Sequence, residues 1–387
     1  MSAHLYSRRQ ALTALGVTGF LTLPAHAETF VVDDQIITDP RIAVQDVEFD
    51  FIEGRIAWQD KQGQLWVAKV DPVTGAFMPS TGQGRLIDTG LAGISDSGNG
   101  PEWAYGIDGP EIVYTKYTDS SRSAFVLAHA RNINGNWYTE VLPNLPLDQG
   151  GYSPIGSQDL NDPDPRVKYQ LGGPETGSQG LAYRSLISPS WGIVPDPTAD
   201  AGRWVEKRRS LIVTILVNGV RQVAYHEIDT GVLTQLTSDP GQKNNVFMWE
   251  APEFNHELIF MASVNAETID MYRFLNGAWT RFNSLKPPSP RPYLLSPEPL
   301  VYGGKSYVFA LASNGFKTSQ REPSDVWLMA VDPANPLYRQ VSNPDLVLVR
   351  ADPEYFTTTL GPWIYYSQRQ GSRRLTHRCS TGLGPGQ

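Results

Sequence analysis

Cysteine is nearly absent: Cys379 stands alone among 387 residues. A single thiol rules out an internal disulfide and any thiolate metal cluster, so stability must come from packing. Charge is sparse, at 19% of residues. No long stretch repeats apolar residues at i, i+3, i+4 and i+7, so amphipathic helices are not expected. Gly-x-Ser-x-Gly, a phosphate loop and His-Glu-x-x-His are all missing, which leaves serine-hydrolase, nucleotide and zinc-protease chemistry without support. His129, His226, His256 and His377 show no metal-ligand spacing and read as structural.

A membrane-length apolar run is also lacking. The one from about Ala11 to Pro24 is too short to span as a stable helix. It follows Ser7-Arg8-Arg9-Gln10-Ala11-Leu12, which resembles a twin-arginine motif, and precedes Ala25-His26-Ala27, a small-x-small cleavage pattern. Residues 1–27 are therefore expected to be a cleaved export leader, which places the mature chain in the periplasm or outside the cell. No integral membrane segment is expected in that mature chain. The formal charge is −8, and loss of a leader holding two arginines and no acid takes it to −10. Such a balance argues against nucleic acid as a partner.

Turn formers and apolar residues are plentiful: 35 Gly and 30 Pro beside 40% hydrophobic and 11% aromatic residues. That mixture suits many short strands joined by turns. One pattern recurs every ~45–60 residues. Pro101-Glu102-Trp103 leads to Ile112-Val113-Tyr114, Pro252-Glu253-Phe254 to Leu258-Ile259-Phe260, and Pro297-Glu298-Pro299 to Tyr307-Val308-Phe309. Ala351-Asp352-Pro353-Glu354-Tyr355-Phe356 leads to Trp363-Ile364-Tyr365-Tyr366, and Val47-Glu48-Phe49, without the proline, to Ile56-Ala57-Trp58. Asn134-Gly135 and Asn276-Gly277 between apolar runs signal hairpins. Asp71-Pro72-Val73-Thr74-Gly75, Asp229-Thr230-Gly231 and Asp332-Pro333 supply equivalent turns.

These units predict an all-β wheel, a β-propeller spanning 28–380, with a disordered tail at 381–387. About seven four-stranded blades are expected, beginning near Asp46, Pro101, Asp162, Arg203, Ala251, Ser296 and Ala351. The count falls to six if residues 146–202, rich in Gly, Pro, Asp and Ser, are an insertion. The last unit is short of a strand, and Phe30-Val31-Val32 is a candidate to close the ring and remove an open edge.

Pro-x-aromatic before an apolar strand resembles the repeats of TolB-like β-propellers, whose common form continues Ser-Pro-Asp-Gly. This chain departs in the turn, with Ala104-Tyr105-Gly106-Ile107-Asp108-Gly109 in one copy and Asn255-His256-Glu257 in another. A weaker resemblance is to propeller glycosidases of the arabinanase and xylosidase type, which implies carboxylates around a channel mouth. Fold similarity of this kind does not fix function.

In a wheel of such blades the starts of the innermost strands meet at one rim. Glu48, Glu102, Glu253, Glu298, Asp352 and Glu354 are expected there, with Lys61, Lys116, Arg122, Lys317, Arg321, Arg369 and Arg373 on facing loops. Crowded like charges raise carboxyl pKa values, as a general acid requires. Glu102, Glu253 and Glu354 are the catalytic candidates, and Glu48, Glu298, Asp352, Arg122, Arg321 and Arg369 the ligand-binding ones. Three functions follow: a monomeric exported propeller binding a carbohydrate or protein partner, a glycoside hydrolase or lyase, or a structural envelope protein. No cofactor is expected. Asp159, Asn161, Asp162 and Asp164 offer oxygen ligands suited to calcium, although prolines break the usual loop pattern.

Overall fold

A computed structural model describes residues 33–37, 44–78, 84–118, 122, 124–143, 151–173, 177–315, 322–370 and 373–385. The expected leader and Phe30-Val31-Val32 lie outside that set. The described chain is almost entirely strand, arranged as seven antiparallel sheets in a ring.

The innermost strands are Gln45–Asp50, Glu102–Gly106, Tyr152–Gly156, Asp200–Trp204, Lys243–Ala251, Tyr293–Tyr302 and Val349–Thr358, and number the blades 1 to 7. Each pairs with the next strand in sequence, and so outward. In blade 1 the outer position is shared by Phe77–Met78 and Arg85–Thr89. In blade 7 it is filled from the other end of the chain: Asp34–Ile36 pairs with Arg373–Ser380. Closure by an N-terminal strand thus holds, a few residues beyond the predicted segment.

Blade faces pack on blade faces. Seven apolar clusters are each shared by two neighbours. Between blades 7 and 1, for example, Phe356, Trp363 and Tyr365 pack with Val47, Phe49, Ile56 and Trp58. A strand buried on both faces reads as an unbroken apolar run, as in Leu211-Ile212-Val213, where helix-like or alternating patterns are absent. The Asn-Gly turns are the expected left-handed hairpins, with φ of 53° and 82° at Asn134 and Gly135 and 53° and 84° at Asn276 and Gly277.

Two predicted blade starts move. Blade 3 is complete, with Tyr152–Gly156, Arg166–Gly173, Gly177–Ser185 and Trp191–Ile193, so six blades are excluded. It starts near Tyr152, not Asp162, because Asp162 lies in the turn after its first strand. Blade 5 starts at Lys243, not Ala251. There Pro252-Glu253-Phe254 forms a short 3-10 turn after the inner strand, closed by Asn255 at φ 64°. In the last residues, Thr381 is buried and donates from Oγ1 to the Pro362 carbonyl at 2.7 Å, and Leu383 packs on the cluster between blades 6 and 7.

Candidate functional site

Six inner strands carry the same irregularity. Asp46, Ser153, Ala201, Asn245, Ser296 and Asp352 all have φ between 45° and 56°, and at each the register with the second strand slips. These are β-bulges, which re-aim the side chains that follow them. The residue two positions on is Glu48, Ile155, Arg203, Phe247, Glu298 or Glu354. In blade 2 the matching residue is Glu102, which starts its strand after Gly100 without a bulge. All seven line one axial cavity of about 210 Å³. Indole bonds lock this ring between blades: Trp103 Nε1 donates to the Glu48 carbonyl at 3.0 Å and Trp204 Nε1 to the Ile155 carbonyl at 2.9 Å.

The ring is electrically lopsided. Glu298, Glu354, Glu48 and Glu102 come from four successive blades, and Arg203 faces them with its guanidinium 5.2 Å from the Phe247 ring centre. Asp352 and Asp46 stand at the bulges behind the glutamates; burial and then the neighbouring Asp352 raise Asp46, while the Gly100 N–H donates to it. Burial and the crowding of Glu298, Glu48, Asp352 and Glu102 hold Glu354 well above the usual carboxylate range. Burial, then Glu102, Glu298 and the two aspartates do the same to Glu48. Glu298 is pushed up to about 8, by burial against the pull of Arg203. Glu102 is raised by burial, while Arg203, Lys168 and a 2.5 Å bond from Asn99 Nδ2 hold it back. These glutamates keep some contact with channel water, so depth and crowding, not a dry core, drive the shifts. Lys168, buried on the second strand of blade 3, is lowered to about 7 by burial and by Arg203, and donates to the Ser153 carbonyl at 3.2 Å.

Of the predicted rim, Glu48, Glu102, Glu298 and Glu354 meet at the cavity, and Asp352 stands just behind. Glu253 does not: it accepts from the Ser306 N–H and Oγ, both at 3.0 Å, and ties blade 5 to blade 6. Of the predicted basic residues, the four whose side chains are described also fall elsewhere. Cavity walls come from the inner strands and the turns after them, including Phe51, Gln158 and Glu206. Arg122 is exposed, 5.3 Å from the Tyr117 ring, and Lys116 pairs with Asp88 at 2.7 Å. Lys61 and Arg369 are exposed and line no part of the cavity. Lys317 and Arg321 lie outside the described residues, and nothing is described of the Arg373 side chain. In the loop considered for calcium, Asp162 pairs with Arg209 at 2.7 Å and Asp164 with Arg166 at 2.6 Å.

No sequence family and no curated protein matches the chain. Solved structures do. The Dos1 propeller is similar with a TM-score of 0.56 at 10% identity, over 90% of this chain and 94% of that one. The Cps50 (Swd1) β-propeller domain of Myceliophteria thermophila is similar with a TM-score of 0.56 at 8% identity, over 88% of this chain and 96% of that one. At such identities the likeness establishes the β-propeller fold alone.

Sequence reasoning missed Asp46, Ile155, Arg203 and Phe247. Aligning Asp46-Val47-Glu48 with Asp352-Pro353-Glu354 finds the first. Setting Ala201-Gly202-Arg203-Trp204 against Gly100-Pro101-Glu102-Trp103 finds Arg203, since the tryptophan after the ring position is shared.

Proposed function

We propose that this chain is an exported β-propeller of the TolB-like kind that binds a small polar ligand, free or displayed by a partner protein, in its axial cavity. The observation that carries this is the convergence of one side chain per blade, at one register, on a single cavity. Convergent polar groups in an aromatic-walled hollow are the usual mark of a binding site.

Binding without chemistry is the better supported form. Glycoside hydrolysis needs two carboxyls roughly 5–9.5 Å apart, to flank the scissile bond. Of the three carboxyls suited by sequence to that role, Glu102 and Glu354 reach the cavity, while Glu253 is held by Ser306 at the seam of blades 5 and 6. The cavity, at about 210 Å³, is also small for an oligosaccharide. Export is supported by the paired arginines and Ala-x-Ala of the leader; sequencing the N-terminus of protein recovered from the cell envelope tests it, with Glu28 expected first.

A thermal-shift screen over glycans, metabolites and short peptides tests the binding. Ligands that stabilise the protein should lose that effect when Glu48→Gln or Glu354→Gln is introduced. Turnover of any glycan that collapses in the same variants would overturn the non-catalytic reading.

A further inference from the structure

We infer that the axial cavity takes a small organic cation, an alkylammonium head whose carbon body lies against the aromatic wall. This rests on the ligand-binding reading above and names its ligand class.

Charge is the first argument. Five carboxyls line the cavity, those of Glu48, Glu102, Glu206, Glu298 and Glu354, against one lining cation, Arg203. Arg203 offsets this charge in part, drawing Glu298 and Glu102 down without an ion pair to either. Among the described residues no carboxylate comes within the 4.0 Å of an ion pair with it; its contacts are the Gly202 carbonyl and the face of Phe247. Five acids thus face one guanidinium, and a ligand that brings positive charge is drawn to their side of the cavity.

The walls give the second argument. Phe51 and Tyr355, with centroids 4.8 Å apart, stand beside the cavity with Tyr105, Trp204 and Trp249. Arg203 over Phe247 already holds one cation against a ring in this cavity, and aromatic faces attract ammonium groups in the same way. A hard metal ion gains nothing from such walls and asks for a shell of six to eight oxygens. Among the described residues no group of three or more His, Cys, Asp or Glu is arranged to hold one. The volume, about 210 Å³, is small beside the ~300–1,000 Å³ of drug-sized sites, so a short chain fits and an oligosaccharide does not.

The third argument concerns protons. Four glutamates crowd one arc of the cavity with Asp46 and Asp352 behind them, and like charges that close are relieved by holding protons. An arriving ammonium supplies the positive charge those protons provide, so they leave as it enters. Raised carboxyl pKa values across the arc agree with such storage.

Titration calorimetry on the whole protein tests this with n-butylammonium, its neutral and anionic isosteres butanol and butyrate, Nα-acetyl-lysine methylamide and Ca²⁺. Butylammonium or the lysine mimic should bind, more tightly as pH rises from 5 to 9, with a heat that varies with buffer ionisation enthalpy because protons are released. Preference for the lysine mimic by more than tenfold assigns the site to a partner's side chain, and the reverse preference to a free amine; either supports the inference. Glu298→Gln should weaken binding roughly tenfold and reduce proton release, with Glu48→Gln as a second variant should the first fail to fold. Butanol or butyrate binding as well as butylammonium overturns the inference, as does Ca²⁺ binding that excludes the amines. Neutral sugars binding while every amine fails overturns it too and leaves the ligand-binding reading standing. Silence from all five probes and from the wider screen removes both.

Discussion

Replacing Glu298 by glutamine should stabilise the protein, by an amount set by pH. Glu298 is pushed up to about 8 from the usual 4.5, first by burial and then by Glu102 and Asp352. The folded state therefore keeps a proton that the unfolded chain has already lost across this window. A carboxyl with a raised folded pKa favours folding below its unfolded pKa, and that contribution is lost as pH climbs to the folded value. At ~1.4 kcal/mol per tenfold change in proton affinity the full interval amounts to roughly 4–5 kcal/mol. Channel water reaches the side chain, which reduces this to about 2 kcal/mol. The glutamine amide has no such proton to lose. Glu298→Gln should thus match wild type near pH 4.5 and exceed it by about 2 kcal/mol at pH 8, or about 3 °C in Tm for a chain of this size. Differential scanning calorimetry at pH 4.5, 6, 7 and 8 measures the gap. A variant less stable than wild type at pH 8, or offset equally at every pH, refutes the reasoning.

Other regions give sharper structural tests. Asp325 accepts from Arg291 Nε at 2.7 Å and Arg350 Nη1 at 3.3 Å, all three buried, so Asp325→Asn should cost ~3 kcal/mol by removing the counter-charge of two guanidiniums that keep only carbonyl acceptors, read from urea unfolding with an unchanged m-value. Glu253→Ala loses both bonds to Ser306 and should cost about 1–2 kcal/mol while ligand affinity stays within twofold; a loss of binding equal to that of Glu354→Gln would return Glu253 to the site. Deleting the chain through Ile37 strips the outer strand from blade 7, and light scattering should then show concentration-dependent association along the bared edge of Arg373–Ser380.

How much of this was legible from residues alone differs between fold and site. The wheel was legible because turn chemistry is local: Asn134-Gly135 and Asp71-Pro72 act through their own backbone, whatever surrounds them. Glu102, Glu298 and Glu354 were legible because a proline precedes each in the bulged segment or at its equivalent. The same letters misled at Pro252-Glu253-Phe254, where the proline begins a turn one strand-length later. In blade 5 the ring position is Phe247, reached through Asn245-Val246. Arg203 and Ile155 escaped for a related reason. Ring membership is decided by backbone register after a bulge, and the bulge accepts Ser, Asp, Asn or Ala alike. Loops between second and third strands were expected to face the acids; among the described residues the cavity walls beyond the ring come instead from turns that follow the inner strands, at Phe51, Gln158 and Glu206.

The closure of blade 7 has a consequence for how the molecule is made. Gln35 and Arg378, 343 positions apart, meet across its outer two strands. A ribosome delivers the first of these long before the second, so the earliest strand to emerge must wait, unpaired, for almost the whole polypeptide. Contacts of such separation slow folding and lengthen the exposure of sticky intermediates. Cells making this protein in quantity therefore have reason to shield its leading segment until synthesis is finished.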